Sequence, residues 1–153
     1  MMRNVATVGV VCFLVAAIVL AAGCTHIRPP AGVTPVERLL ITTGYCKCGE
    51  CCEWRRNWYG RAVYASGPLK GKPKQVGVTA SGTKGKKGTI AADTSRYPFG
   101  TVMYVPGYGY GVVEDRGGAI KGDHIDLYHQ SHWQALKWGC RRVQVKIWLP
   151  RKK

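Results

Sequence analysis

The sequence predicts an all-β or mostly-β domain, and three observations carry that prediction. Twenty glycines and eight prolines punctuate the 153 residues, a density of turn formers that leaves little room for long helices. Between them, valine, threonine and tyrosine recur in short runs, some with the apolar/polar alternation of a half-buried strand. Only residues 131–139 carry helix signals at both ends. A chain of this length supports one modest hydrophobic core.

Residues 1–4 bring one positive charge, Arg3, and residues 5–23 then run without a charge to Ala21-Ala22-Gly23-Cys24. A short basic start, an apolar run and small residues before a cysteine read as an export signal. The Ala-Ala-Gly-Cys ending resembles a bacterial lipobox, in which Cys24 is acylated and becomes the new N-terminus, although Ala21 stands where that motif most often has leucine. The alternative is an uncleaved membrane anchor, since about 20 apolar residues span a bilayer. The small-residue cleavage pattern favours the lipoprotein. By the same resemblance, Thr25 in place of an aspartate points to the outer membrane. The expected organisation is a signal over 1–23, a lipid-anchored linker over 24–37 stiffened by Pro29, Pro30 and Pro35, and a folded domain over 38–153.

The charge balance is 23 basic to 8 acidic residues, a formal +15. Such a surface seeks polyanions. For a chain held outside the cytoplasmic face, those are anionic polymers of the cell envelope and not nucleic acid.

Residues 39–45 make a first strand that runs into Cys46, Cys48, Cys51 and Cys52. With Cys140 these are the five cysteines beyond the signal and the lipidation site. An oxidising envelope favours disulfides, one of them reaching Cys140, but five is odd and adjacent cysteines rarely pair. Four clustered thiols also suit a structural zinc, although the usual pattern splits two pairs across a longer loop. A redox or metal protein built on this cluster is a third class of function. Residues 53–75 are basic and aromatic, and read either as a sugar-stacking rim or as a solvated loop. A short strand is expected over 76–82, followed by a glycine–lysine loop that lacks the spacing of a phosphate loop.

Further strands are expected over 89–93, 101–105 and 110–113, with a hairpin turn at 107–111. Residues 124–128 alternate, placing Ile125 and Leu127 on one face and His124, Asp126 and Tyr128 on the other. In the helix at 131–139, Ser131 and Gln134 fit a capping box and Gly139 a stop. Residues 141–149 close the domain as a strand.

The stretch 110–128 is where chemistry is expected. Glu114, Asp115 and Asp126 surround a loop containing Gly117, Gly118 and Gly122, which would fold the chain back and bring Asp115 to Asp126. Two carboxyls close together near apolar surface resist joint ionisation, so one keeps its proton near neutrality, as a general acid requires. The plainer reading has Asp126 on a wet strand face and Asp115 capping a turn. His124, His129 and His132 with Asp126 form a second possible constellation, for which separate structural histidines are the simpler account.

Ala91-Ala92-Asp93, Pro98-Phe99-Gly100, the segment 113–122 and Ile125-Asp126-Leu127 resemble the 3D domain family, named for three aspartates. The likeness runs from about Leu40 to Trp148, and the cysteine cluster resembles that of short family members. Members of this family are similar to the C-terminal barrel of membrane-bound lytic transglycosylase A. The resemblance implies a six-stranded double-psi β-barrel with one short helix, and places the family's aspartates on Asp93, Asp115 and Asp126. It implies Asp126 as acid/base, Asp115 as its partner, and Asp93 either as a third member or as a loop fastener. The implied partner is the glycan strand of peptidoglycan, and no catalytic cofactor or metal is called for. A larger transglycosylase closes its groove with a second domain for which 153 residues leave no room. The retained acids favour a lytic transglycosylase-like enzyme that cleaves the bond between N-acetylmuramic acid and N-acetylglucosamine, and the alternative is a non-catalytic peptidoglycan-binding or expansin-like, wall-loosening lipoprotein.

Overall fold

The computed structural model describes residues 27–151. The export signal and Cys24 lie outside the described residues. The elements in chain order are β1 (Val36–Tyr45), α1 (Gly49–Cys52), β2 (Trp54–Arg56), β3 (Ala62–Tyr64), β4 (Thr89–Ala92), β5 (Val102–Val105), β6 (Gly109–Asp115), β7 (His124–Tyr128), α2 (His132–Trp138) and β8 (Arg141–Trp148). Six of the strands close into a barrel in the order β1-β7-β4-β6-β5-β8, and β2 with β3 forms a separate hairpin. This agrees with the all-β class that the composition predicts and with the six-stranded barrel that the family resemblance implies.

Closure removes the sheet edges, and alternation fills the inside. Leu40, Ile90, Met103, Val113, Ile125 and Leu127 are completely buried there. Each such side chain contributes about 1.5–3 kcal/mol on leaving water. Two of the pairings are parallel, β1 with β7 and β4 with β6, and the others are antiparallel. A parallel pair sends both chains out of the same end of the barrel. Residues following β1 and residues following β7 therefore meet, and the His129 N–H donates to the Tyr45 carbonyl at 2.7 Å.

β1 starts at Val36, inside the stretch read as linker, because it pairs with β8 from Val36↔Ile147 onward. Just before it, the Val33 carbonyl accepts from the Trp148 indole N–H at 3.0 Å. Residues 76–82 do not form the expected strand. Gly77 has φ +78° and only an isolated bridge joins Val78 to Lys84, so the segment is a loop. The basic, aromatic stretch contains the β2–β3 hairpin, which the prolines and glycines around it hid from a reading by pattern. Helix α2 has the caps the sequence predicts. Ser131 accepts from the Gln134 N–H, and Gly139 ends the helix at φ +66°. α2 lies directly on β1 because position 44 is glycine: a Cβ there would stand 2.8 Å from the Ala135 carbonyl oxygen. Among the described residues no helix is long and apolar enough to cross a membrane.

Candidate active site

The site is built on the outer face of the sheet where β7, β4 and β6 run side by side. Ala91 on β4 pairs with Asp126 on one side and with Asp115 on the other. Both acids thus flank one small residue, with their α-carbons about two strand spacings, roughly 10 Å, apart. The sequence led us to expect a glycine hinge that folds β6 back onto β7. Instead β4 is inserted between them, and of the three glycines in the hinge only Gly122 has a positive φ, +62°.

A β-bulge gives Asp115 its direction. Ile90 pairs with Val113 but Ala91 pairs with Asp115, so Glu114 is skipped in the register. Simple alternation would have sent Asp115 to the same side as the buried Val113. The extra residue turns it to the outer face, as bulges commonly do beside functional sites. Glu114 is used elsewhere, accepting from the Thr89 hydroxyl at 2.8 Å.

The outer face at this point is partly covered, with Asp115 and Asp126 half-buried. Tyr45, Ala91 and Tyr128 form a small buried cluster with Cys51 and Cys52 packed against it. Tyr45 and Tyr128 meet edge to face at 5.4 Å between ring centres. The segment between β1 and β4 rises over this surface and leaves a cleft of about 400 Å³, lined by Lys47, Cys52, Lys74, Asp115, Arg116 and Asp126 among others.

Asp115 is fixed by three donors: the Tyr45 hydroxyl at 2.9 Å, the Ala80 N–H at 3.0 Å and the Arg116 N–H at 2.9 Å. Asp126 has one side-chain donor, the Thr43 hydroxyl at 3.0 Å. That hydroxyl has a single proton, so its contact with His124 Nε2 at 2.9 Å has the histidine donating. The result is a relay from His124 through Thr43 to Asp126. Burial pushes the Asp126 carboxyl above the usual carboxylate range, while Thr43 and His124 pull it back. Repulsion from Asp115 also raises it but ranks below burial, so desolvation is the main cause.

Asp93 is not among the residues lining the cleft. Its carboxyl accepts from the Ser95 hydroxyl at 2.6 Å, the Ser95 N–H at 3.1 Å and the Gly122 N–H at 2.9 Å. The Ser95 hydroxyl above all, with these N–H groups, lowers it to about 2. It ties the turn after β4 to the loop before β7.

The three histidines are separated from one another in use. His124 serves Thr43, and His129 packs on the rings of Tyr108 and Trp138, at 5.5 and 6.0 Å between centres. His132 turns to the cysteines, with Nδ1 3.4 Å from the sulfurs of Cys48 and Cys51. Cys46, Cys48, Cys51, Cys52 and Cys140 are all free thiols, and Cys140 is exposed. Cys52 borders the cleft, but burial pushes its thiol up to about 11, far from the thiolate a nucleophile needs. Reading by motif missed Thr43 and Tyr45. Their signal was the alternation of β1, which puts them on one face, but only the parallel register Thr43↔Asp126 and Tyr45↔Tyr128 shows which face.

Comparison with known proteins places these residues in context. Residues 88–150, which include β4 to β8 and all three aspartates, match the 3D domain. The match does not extend to β1 or the cysteine loop, so it is narrower than the motif resemblance suggested. The chain is 43% identical over 75 residues to the cell wall-binding protein YocH of Bacillus subtilis (strain 168), covering 46% of this chain and 26% of that protein. It is 39% identical over 75 residues to YabE of the same organism, a protein named for cell wall shaping, covering 46% of this chain and 18% of that one. The chain thus spans about a quarter or less of the relatives it matches. Among solved structures it is similar to MltA from Escherichia coli, described as having a unique lytic transglycosylase fold. There the identity is 25%, with 52% of this chain and 30% of that chain covered at a TM-score of 0.41.

Proposed function

With residues 88–150 matching the 3D domain family as the premise, we propose that the chain acts on the glycan strands of peptidoglycan, cleaving the bond between N-acetylmuramic acid and N-acetylglucosamine as a lytic transglycosylase does. The observation that carries this reading is Asp126: a half-buried carboxyl, shifted toward its protonated form, lining a cleft with a second carboxyl, Asp115, on the far side of Ala91.

Asp126 protonates the glycosidic oxygen as the bond to the muramyl C1 breaks. The same residue, now a carboxylate, takes the proton from the muramyl 6-hydroxyl as its oxygen bonds to C1. The product is a 1,6-anhydro ring and no water is consumed, so one carboxyl suffices where an inverting hydrolase needs two. Asp115, held by its three donors, presents negative charge toward the positively charged sugar of the transition state. Asp93 has no part in the chemistry and fastens a loop. Lys47, Lys74 and Arg116 at the cleft give its mouth a basic character suited to an acidic polymer. A cell envelope location follows from this substrate, with anchoring through an acylated Cys24 at the outer membrane. Incorporation of labelled palmitate at Cys24 tests the anchor, and an unlabelled protein removes it.

A second reading is supported by the names of the relatives, which refer to wall binding and wall shaping. On it the cleft holds glycan without cutting it, and the chain is a wall-binding or wall-loosening lipoprotein. One experiment separates the two. Purified sacculi are incubated with wild type and with Asp126→Asn, and the released muropeptides are weighed by mass spectrometry. Anhydro products from wild type alone are expected. Products heavier by one water mean hydrolysis, and binding without release leaves the wall-binding module.

A further inference from the structure

The cysteine loop holds a constellation that the acid chemistry does not use. We infer that Cys46, Cys48, Cys51 and His132 form a tetrahedral site for one zinc ion, which fastens the loop after β1 to the start of α2. Each residue offers one donor atom, and the four atoms lie within 4.8 Å of one another.

The separations decide between zinc and a disulfide. Zinc binds thiolate sulfur at about 2.3 Å and imidazole nitrogen at about 2.0–2.1 Å, so a regular tetrahedron has sulfur–sulfur edges of about 3.8 Å and sulfur–nitrogen edges of about 3.5 Å. The Cys46 and Cys51 sulfurs are 3.8 Å apart, and Nδ1 of His132 is 3.4 Å from the sulfurs of Cys48 and of Cys51. A disulfide would hold two of these sulfurs at about 2.05 Å. The observed spacing leaves room at the centre for an ion.

The surroundings are those of a metal site. Glu50 Oε2 lies 3.0 Å from His132 Nε2, and a carboxylate there keeps the proton on Nε2 and leaves Nδ1 free to bind. The Cys48 N–H points at the Cys46 sulfur and the Cys51 N–H at the Cys48 sulfur, both at 3.4 Å, which favours negative charge on those sulfurs. Helix α1 brings Cys51 back over Cys48, its N-cap. His132 arrives from 81 residues beyond Cys51 because β1 and β7 run parallel and Gly44 lets α2 lie close. Cys52 stands apart, its thiol donating to the Cys46 carbonyl at 3.1 Å, and Cys140 is exposed.

Four protein ligands leave no open position, so the site is structural. It holds the loop that carries Lys47 and Cys52 to the cleft wall and covers Tyr45 and Tyr128. This assignment does not depend on what the cleft binds.

The test is elemental analysis of the full-length protein purified anaerobically without added reductant, with alkylation of its thiols in parallel before and after reduction. One zinc per chain is expected, together with intense visible absorption when cobalt(II) replaces zinc. Cys48→Ser and His132→Ala lose the zinc, whereas Cys52→Ser and Cys140→Ser keep it. Should the ligand variants fail to fold, a chelator added to the wild type removes the zinc and lowers Tm. Three results would overturn the site: loop thiols that resist alkylation until reduced, free thiols that take up no added zinc, or zinc retained by both ligand variants.

Discussion

Asp93 and Asp126 belong to the same motif set and lie on adjacent, paired strands or just beyond them, yet their surroundings push them in opposite directions. Asp93 sits past the end of β4 with three hydrogen-bond donors and is lowered to about 2. Asp126 sits in the middle of β7, half-buried in the wall of the cleft, with one side-chain donor, and is raised. A carboxyl is made into an acid by losing water faster than it gains donors. The number of acids in a motif does not decide this; the cover above each one does.

The sharpest way to break the contrast is to remove each acid in turn. Asp126→Asn keeps the shape and still accepts from Thr43, but cannot shuttle a proton. Muropeptide release is expected to fall by about 10²- to 10⁴-fold, the range general acid–base catalysis supplies. Asp93→Asn is expected to stay within about tenfold of wild type, since Asp93 is not among the residues lining the cleft. Equal losses in both variants would mean that the three aspartates work as one unit.

The same pair predicts stability changes of opposite sign. Asp93 is lowered on folding, so its contribution is present above its unfolded value of about 3.9 and disappears as the pH falls toward about 2. Asp93→Asn should therefore lower Tm at neutral pH, with the difference closing on acidification. Asp126 is raised, so its contribution is fully present below about 3.9 and is lost as the pH rises through its folded value. Asp126→Asn should raise Tm at neutral pH and give no gain in acid. Thermal unfolding from about pH 3 to pH 7 checks both. An Asp126→Asn protein less stable at pH 7 would show that the carboxylate is better solvated than its cover implies.

Much of this architecture was legible from residues alone, and the gaps have physical causes. All six barrel strands and helix α2 are visible because alternation and capping are local. Pairing order is not local. Nothing in the stretch 110–128 announces that β4 lies between β6 and β7, so the approach of Asp115 to Asp126 was attributed to glycines when Ala91 provides it. The bulge that turns Asp115 outward is likewise invisible until the register of two distant strands is known. The cysteine cluster was conspicuous, but its fourth member is a histidine 81 residues beyond Cys51, and only the parallel exit of β1 and β7 connects them.

The finest test concerns how Asp126 is balanced and not whether it acts. Thr43 favours the ionised carboxyl and burial opposes it, with burial the larger. Thr43→Val removes the hydroxyl while keeping the branched shape that suits a strand. Losing a hydrogen bond to a charged group costs about 1.5–3 kcal/mol, and less wherever Asp126 is already protonated. The alkaline limb of the rate profile, set by loss of the proton from Asp126, should therefore move to higher pH while the rate well below it changes little. His124, left without its acceptor, would no longer reach the carboxyl through Thr43. An unmoved limb with a uniformly lower rate would instead make Thr43 a residue that orients Asp126 without tuning it, and burial would be the sole source of the acid.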